Sequence, residues 1–181
     1  MSNKGFTLIE LMITVVIAAI LLTTAVPGFE ALITNNRLST QANAFIGALH
    51  LARSEAVKRN LNVTVCKSGD GQSCSNNTSG FEQGWIVFVD QQNFGAYDNG
   101  EAIINANQGM PQGMSLICVS QATNTLCQNG EAPIRYRADG TLASNNTTLR
   151  LCRQGKIDGR RIAINIIGRV RVQTVTDCPT S

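Results

Sequence analysis

The chain has 181 residues, a formal net charge of +3, six cysteines and only 5% aromatic residues. This length favours one domain with one buried core, and the few aromatic side chains fit short strands joined by turns better than a helical bundle. The sequence has no Gly-rich phosphate loop, no nucleophile elbow and no cluster of histidines. We therefore expect no catalytic residues, no cofactor and no metal site.

The chain starts with a long apolar segment. Residues 6–26 form a nearly unbroken apolar run whose only charge is Glu10. A helix of this length is roughly 30 Å long, the thickness of a bilayer's hydrocarbon core. A secretory signal or a plain membrane anchor explains the apolar length, but neither explains an acid whose burial in lipid costs about 2.5–3.5 kcal/mol. Pro27 and Gly28 predict that the helix ends or kinks where the apolar segment stops.

The residues around this acid carry a family resemblance. Lys4 to Glu10 read Lys-Gly-Phe-Thr-Leu-Ile-Glu, which resembles the processing motif of type IV pilins at every position. The resemblance implies that residues 1–5 are a leader. A prepilin peptidase would cleave it after Gly5 and methylate the new amine of Phe6.

The same resemblance implies where the segment resides. Residues 6–27 would cross the bacterial inner membrane once, below a periplasmic head, and then join other pilin subunits in the core of a pilus or pseudopilus. The Phe6 amine is largely cationic near neutral pH, because its reference pKa is roughly 8. This amine and Glu10 of a neighbouring subunit would then neutralise each other, whereas either one left unpaired in an apolar core would be costly.

Residues 28–60 are predicted to form an amphipathic helix of the head. Apolar side chains recur there at alternating spacings of four and three, which places them on one helical face. These residues are Leu38, Ala42, Phe45, Leu49, Ala52 and Ala56.

From residue 61 to residue 181 the pattern is that of strands. Short runs rich in Val, Ile and Thr alternate with clusters of Gly, Asn and Asp. The segment 90–101 contains oxygen ligands, but their spacing does not follow the EF-hand loop, so we interpret it as turns. The predicted strands are 61–66, 85–90, 114–119, 133–138, 147–152, 160–167 and 169–173.

Two internal stretches assign the resemblance to a particular group within the pilin family. Residues 52–60, read with 63–66, and residues 84–90 (Gly-Trp-Ile-Val-Phe-Val-Asp) resemble the FimT/GspH group of minor pilins and pseudopilins. With the N-terminus and Gly-Arg-Val-Arg at 168–171, the resemblance covers most of the chain. It implies an α+β fold in which a long N-terminal helix packs on a β-rich head of two small antiparallel sheets.

The cysteines predict a head that is stapled by disulfides. An even number of cysteines in an exported chain favours disulfides, and no pair has the C-x-x-C spacing of a zinc site. Two close pairs each bracket a polar segment, and the last two cysteines are then left to each other. Six cysteines allow fifteen connectivities, and buried free thiols are the alternative. The predicted pairs are Cys66–Cys74, Cys118–Cys127 and Cys152–Cys178.

Charge is distributed unevenly along the head. Residues 68–131 contain no Lys or Arg and carry a net charge of −6, whereas residues 134–172 carry nine basic residues against two acids. Strict alternation at 169–173 places Arg169 and Arg171 on one face of a strand. Basic side chains presented together bind a polyanion through phosphate contacts and counterion release. The candidate DNA-binding residues are Arg150, Arg153, Lys156, Arg160, Arg161, Gly168, Arg169 and Arg171.

The resemblance favours DNA over a merely solvated basic face. FimT-type minor pilins are associated with DNA capture in natural transformation, and Gly168-Arg169-Val170-Arg171 resembles their GRxR motif. The prediction is a minor pilin that binds DNA with little sequence preference, since no base-reading element is apparent. The alternative is a minor pilin or type II secretion pseudopilin that primes filament assembly without binding DNA.

Overall fold

The computed structural model describes residues 5–75, 80–92, 95–119 and 133–178, with the backbone alone for residues 24–31. Within these residues, one long α-helix is followed by eight strands in two four-stranded antiparallel sheets. The predicted α+β fold with two small antiparallel sheets is therefore confirmed. The chain divides into two compact units, Met1–Arg37 and Leu38–Ser181.

The start of helix α1 (Leu8–Arg59) is capped by Thr7. The Glu10 N–H donates a hydrogen bond of 3.3 Å to Thr7 Oγ1, and the pattern Thr-x-x-Glu at 7–10 is that of a capping box. The helical backbone then continues through Pro27 and Gly28, so an end at this point is not observed. A proline removes one intrahelical hydrogen bond, and the bonds on either side are enough to carry the helix past it.

Helix α1 ends at Arg59, and the next residue has a left-handed backbone conformation. Asn60 has a φ of 54°, and the Leu61 N–H donates to the Ala56 carbonyl at 3.2 Å. Asparagine tolerates this conformation better than most side chains, which makes it a common helix terminator. The chain then turns directly into the first strand.

The second half of α1 supplies one side of the main core. Every residue of the predicted apolar face is buried, from Leu38 to Ala56. Phe45 lies near the middle of this face and packs edge-on against Phe81 and Trp85, with ring centroids 5.1 Å apart in both pairs. The amphipathic prediction for this part of the chain is confirmed.

Sheet I consists of β1 (Val63–Lys67), β2 (Trp85–Val89), β3 (Ile103–Asn107) and β5 (Ile134–Tyr136), and a 3₁₀ helix at Phe81–Gln83 precedes β2. The strand order is β3-β2-β1-β5. The central strands β1 and β2 are buried on both faces, because α1 covers one face and loops cover the other. β3 pairs with β2 and was not predicted from the sequence.

Sheet II consists of β4 (Met114–Cys118), β6 (Thr147–Arg153), β7 (Gly159–Ile164) and β8 (Val170–Val175). The strand order is β4-β6-β7-β8. Each strand begins at the first residue of a predicted strand or one residue away from it. β8 is an edge strand whose side chains are mostly exposed.

Disulfides staple both sheets to their neighbouring loops. Cys66 of β1 is bonded to Cys74, and Cys152 of β6 is bonded to Cys178 beyond β8, as the sequence predicts. Cys118 is also disulfide-bonded, and its predicted partner Cys127 lies outside the described residues. The Cys152–Cys178 bond fixes the chain that follows β8 beside the start of β7, where the Cys178 N–H donates to the Ile157 carbonyl.

Candidate nucleic-acid interface

The predicted processing site lies at the start of α1. Gly5, Phe6 and Glu10 are all exposed, and the Phe6 side chain is 79% exposed. Thr7 was not singled out in the sequence, although the capping-box spacing to Glu10 would have identified it. In the part of the chain that the structure describes, no helix is long and apolar enough to cross a membrane. The inner-membrane passage of residues 6–27 stays a prediction.

Sheet II has an inner face, which packs on the main core, and an outer face. Leu149, Leu151, Ile162 and Ile164 point inward and are fully buried. Side chains alternate along each strand, and directly paired residues share a face. The outer face therefore carries the paired residues Arg150 and Arg161, and the pair Ala163 and Arg171.

Arg150 is not part of an exposed basic surface. Arg150 is only 4% exposed. Its guanidinium donates to the Asp177 backbone carbonyl at 3.0 Å and to Asp177 Oδ2 at 2.7 Å. Arg161 is half-buried beside the same carboxylate, at 3.9 Å. Asp177 lies outside residues 134–172, whose charge defined the basic region in the sequence, and so it was not predicted as a partner. Arg150 therefore joins the C-terminal segment to β6, and its assignment as a phosphate ligand is corrected.

The remaining predicted basic residues do not form one continuous face. Alternation places Arg153 and Arg160 on the inner side of sheet II, and Arg160 Nη2 donates to Ser39 Oγ of α1 at 3.3 Å. Lys156 lies in the β6–β7 turn, whereas Arg169 lies in the β7–β8 turn at the other end of β7. Five steps along a strand separate these ends by about 17 Å. The predicted cluster is therefore divided between two ends of the sheet.

A groove at the β7–β8 end brings together the best candidate ligands. It is open to solvent, has a volume of about 260 Å³, and is lined by polar side chains and part of β7. Among the described residues, no side-chain hydrogen bond or ion pair engages the guanidinium of Arg169 or Arg171. No carboxylate of the described chain lines the groove. Its lining residues are Asn146, Ala163, Ile164, Asn165, Arg169 and Arg171.

The two asparagines hold the turn that presents Arg169. Asn165 Oδ1 accepts a hydrogen bond of 2.8 Å from the Arg169 N–H, and Asn146 Oδ1 accepts one of 2.7 Å from the Ile166 N–H. With both amide oxygens bonded to backbone, the amide nitrogens of these side chains remain as donors in the groove. Two guanidinium groups and two carboxamides make the groove a set of donors, which is the complement of an anion.

Arg53 of α1 fastens this turn to the rest of the head. Its Nη2 donates to the Ile167 carbonyl at 2.9 Å, and its Nε donates to the Gly140 carbonyl at 3.1 Å. One side chain thus joins α1 to two turns that are far apart in sequence. Nothing in the sequence pattern identified this contact, although Arg53 lies in the stretch that carries the family resemblance.

Gly168 has a structural role in the same contact. It is buried with a φ of 77°, and a Cβ at this position would collide with the Gly140 carbonyl oxygen and crowd Arg53 Nε and the Tyr136 ring. Glycine is therefore required by the left-handed backbone and by the close approach of a second turn. This corrects its assignment as a DNA contact, because the space beside it is filled by the protein itself.

Several carboxylates of residues 68–101 form hydrogen bonds inside the head. Asp90 is 1% exposed and accepts hydrogen bonds from Thr64 Oγ1 and the Gly95 N–H. Glu82 accepts from the Leu116 N–H and so joins the 3₁₀ helix to sheet II. Hydrogen bonds from the Gln72 and Ser73 segment hold the pKa of Asp70 well below its usual range. Among the described residues, no group of His, Cys, Asp or Glu is arranged to hold a metal ion.

Comparison with known proteins agrees with this architecture. The family model described as type II transport protein GspH matches residues 41–168, and the prokaryotic N-terminal methylation motif matches residues 1–26. A comparison with curated protein sequences gives no match.

Among solved structures, the chain is similar to the type IV minor pilin FimU of Pseudomonas aeruginosa, with a TM-score of 0.60 and 19% identity over 81% of this chain and 96% of that one. A second crystal form of FimU gives a TM-score of 0.58 and 19% identity over 80% and 98% of the two chains. The minor pseudopilin EpsH of Vibrio cholerae gives a TM-score of 0.49 and 15% identity over 76% of this chain and 96% of that one.

The FimU similarity, at this identity, shows the pilin-like fold alone. The family models go further, because together they span most of the chain, and the methylation motif indicates a protein that is membrane-anchored and assembled in a pilus or pseudopilus. The chain therefore belongs to the GspH family, the minor pilins and pseudopilins of type IV pili and type II secretion.

Proposed function

We propose that this chain is a minor type IV pilin that binds extracellular DNA through sheet II, largely independently of sequence, for uptake in natural transformation. The observation that carries the proposal is the groove at the β7–β8 end, where Arg169 and Arg171 have no described intramolecular partner. A guanidinium without an internal acceptor is available for two parallel hydrogen bonds to phosphate oxygens.

A nucleic-acid strand fits the distribution of the other charges. The outer face of β7 leads from the groove past the half-exposed Arg161 towards Lys156, over about 17 Å. Arg153 and Arg160 lie on the inner side at that second end, where Arg160 donates to Ser39, so both are peripheral to the proposed surface. Arg150 and Gly168 are left out of the proposed surface, because the protein uses both internally.

Assembly is proposed to use the N-terminal unit. A prepilin peptidase would cleave after Gly5 and methylate Phe6, and the Phe6 amine would pair with Glu10 of another subunit. The methylation-motif match over residues 1–26 and the exposure of these side chains support this step. Before assembly, residues 6–27 would anchor the subunit in the inner membrane, with the head in the periplasm.

A second candidate function is structural. The family model carries the description of a type II transport protein, which favours a pseudopilin or minor pilin that primes assembly without binding DNA. In that case the groove would bind an acidic group of another subunit. The internal use of Asp90 and Glu82 removes two carboxylates of this chain as partners for such a contact.

The test is a DNA titration with the full-length oxidised chain in a non-ionic detergent. Affinity for labelled duplex DNA is measured at several salt concentrations for the wild type and for Arg169→Gln/Arg171→Gln. If both arginines contact phosphates, the slope of log affinity against log salt should become shallower by about 1.8 in the double variant. The matched control is Lys58→Gln/Arg59→Gln, which removes the same charge from a pair that already contacts Glu55.

The control variant separates a site from a general charge effect. The proposal requires that the control keep most of the wild-type salt slope. Equal flattening in both variants would show a diffuse attraction to the whole molecule. No binding by the wild type even at low salt would sink the proposal and leave the structural function as the better one.

A further inference from the structure

The β7–β8 turn exposes two large apolar side chains next to the groove. Ile166 is 51% exposed and Ile167 is 48% exposed. The two isoleucines are followed in the sequence by Gly168 and Arg169. An exposed β-branched side chain leaves apolar surface in contact with water, and its restricted rotamers gain no packing partner in return. Their position beside two available guanidinium groups indicates a ligand with both apolar and anionic parts.

The turn is held in one conformation by its own hydrogen bonds. The Ile166 N–H donates to Asn146, the Ile166 carbonyl accepts from the Leu142 N–H at 2.8 Å, and the Ile167 carbonyl accepts from Arg53. The Gly168 N–H also closes the turn onto the Asn165 carbonyl at 2.8 Å. The backbone at the two isoleucines is therefore anchored while their side chains point outward, so little order has to be gained when a ligand binds.

The charge around the turn is mainly positive. Arg169 lies in the turn, Arg171 lies in β8, and Arg53 lies in α1 and donates to the turn. The carboxylate of the adjacent turn is Asp139, whose pKa is lowered by hydrogen bonds from the Thr141 hydroxyl and N–H. Asp139 is thus ionised but already bonded within its own turn. An apolar tip in a positive surround fits a base and its phosphate better than it fits an acyl chain or an acidic peptide.

We propose that Ile166 and Ile167 form an apolar wedge that packs against DNA bases, while Arg169 and Arg171 hold the adjacent phosphates. This inference rests on the proposed DNA binding and names its second component. Apolar side chains can pack between base steps, but in a duplex each such insertion must first unstack two paired bases, which costs free energy. Unpaired bases avoid most of that cost. The wedge therefore binds single-stranded or easily unstacked DNA more tightly than a stable duplex.

The test compares Ile166→Ser/Ile167→Ser with wild type in the full-length oxidised chain in detergent. Two labelled probes are used: a single-stranded oligonucleotide, and the same strand with consecutive abasic sites, which keeps the phosphates and removes the bases. The variant should bind the base-bearing strand about tenfold more weakly than wild type. On the abasic strand the two proteins should bind equally, with the same salt slope. The matched control is Ile157→Ser, an isoleucine with 54% exposure in the β6–β7 turn, which should retain wild-type affinity.

Each other outcome overturns the wedge and leaves the proposed function separately testable. Equal loss on both strands would mean that the variant disturbs the phosphate contacts and not a base contact. Unchanged DNA affinity together with fewer pili in cells would assign the isoleucines to a neighbouring subunit. If the wild type binds neither strand, the proposed function fails as well, whereas steep salt dependence with no effect of the isoleucine variant refutes the wedge alone.

Discussion

At the scale of single residues, the contacts around Gly168 also bury a phenol. Tyr136 of β5 is fully buried, its ring lies where a Cβ on Gly168 would be crowded, and its hydroxyl makes no hydrogen bond to the described residues. Burial raises the pKa of Tyr136 from 10.0 to about 12, and the Coulomb field of Arg53 opposes part of this rise. A buried hydroxyl without a hydrogen-bond partner adds nothing to folding stability, so phenylalanine at this position should be at least as stable.

This gives a prediction about alkaline stability. Below about pH 9 the phenol is neutral in both states, so its pKa shift leaves stability unchanged. Between pH 10 and about 12 the unfolded chain ionises first, and folding stability should fall by about 2–3 kcal/mol. Tyr136→Phe should match or exceed wild-type stability at pH 7 and should lose less at high pH. Urea unfolding at pH 9 and pH 11.5 measures the difference.

The control is the chain's second tyrosine. Tyr97 donates its hydroxyl hydrogen to the Glu101 carbonyl in a loop of sheet I. The Tyr97→Phe variant keeps the buried phenol of Tyr136, so its folding stability should fall at high pH as the wild type's does. Equal losses in wild type and Tyr136→Phe would contradict the assignment of that loss to Tyr136.

At the scale of secondary structure elements, Arg53 connects α1 to the turns that form the groove. Arg53→Gln removes both of its long-range hydrogen bonds and leaves the carbonyls of Gly140 and Ile167 without this donor. We expect the free energy of unfolding to fall by about 2 kcal/mol, measured by urea denaturation at pH 7. Arg53→Lys should recover only part of this loss, since an ammonium group cannot reproduce the two divergent donors.

Arg59→Gln on the same helix is the matched control for this prediction. Arg59 is exposed and contacts Glu55, one turn earlier, and exposed pairs of this kind contribute about 0.3–0.5 kcal/mol. Similar losses in the Arg53 and Arg59 variants would mean that Arg53 contributes only surface charge and does not brace the turns.

These elements also show how far the sequence could predict the fold. The apolar face of α1 and seven of the strands were predictable, because each carries its own periodicity or its own run of β-branched residues. β3 was not, since three of its five residues, Asn105, Ala106 and Asn107, are weak strand formers.

The candidate site was predictable only in part. The basic composition of residues 134–172 was evident, and strand alternation correctly placed Arg169 and Arg171 together. The burial of Arg150 depends on Asp177, which a disulfide brings back over β6 from beyond the last strand. The contacts of Arg53 join residues 87 and 114 positions apart, and no local pattern encodes such pairs.

At the scale of the whole molecule, the two charged regions of the sequence behave differently. Carboxylates of residues 68–101 organise loops: Asp70 holds the disulfide loop, and Glu101 accepts hydrogen bonds from the Gln91 and Asp98 N–H groups. Arg169 and Arg171 of the β7–β8 hairpin instead face solvent. The asymmetry in sequence therefore corresponds to described acids that act within the fold and to two arginines that are available to a partner.

This division predicts that DNA capture and filament assembly can be separated in cells. Arg169→Gln/Arg171→Gln alters exposed side chains in the second compact unit, so the variant should fold and be displayed on pili at wild-type levels. DNA uptake should nevertheless fall at least tenfold, because phosphate contacts supply much of the affinity for DNA. Glu10→Gln should give the opposite defect, since it removes the proposed charge partner of Phe6 in the filament and should reduce piliation itself. Counting surface pili by electron microscopy and transformants by selection in the same cultures distinguishes the two. Loss of pili in the arginine variant would place its role in assembly, as the structural function requires.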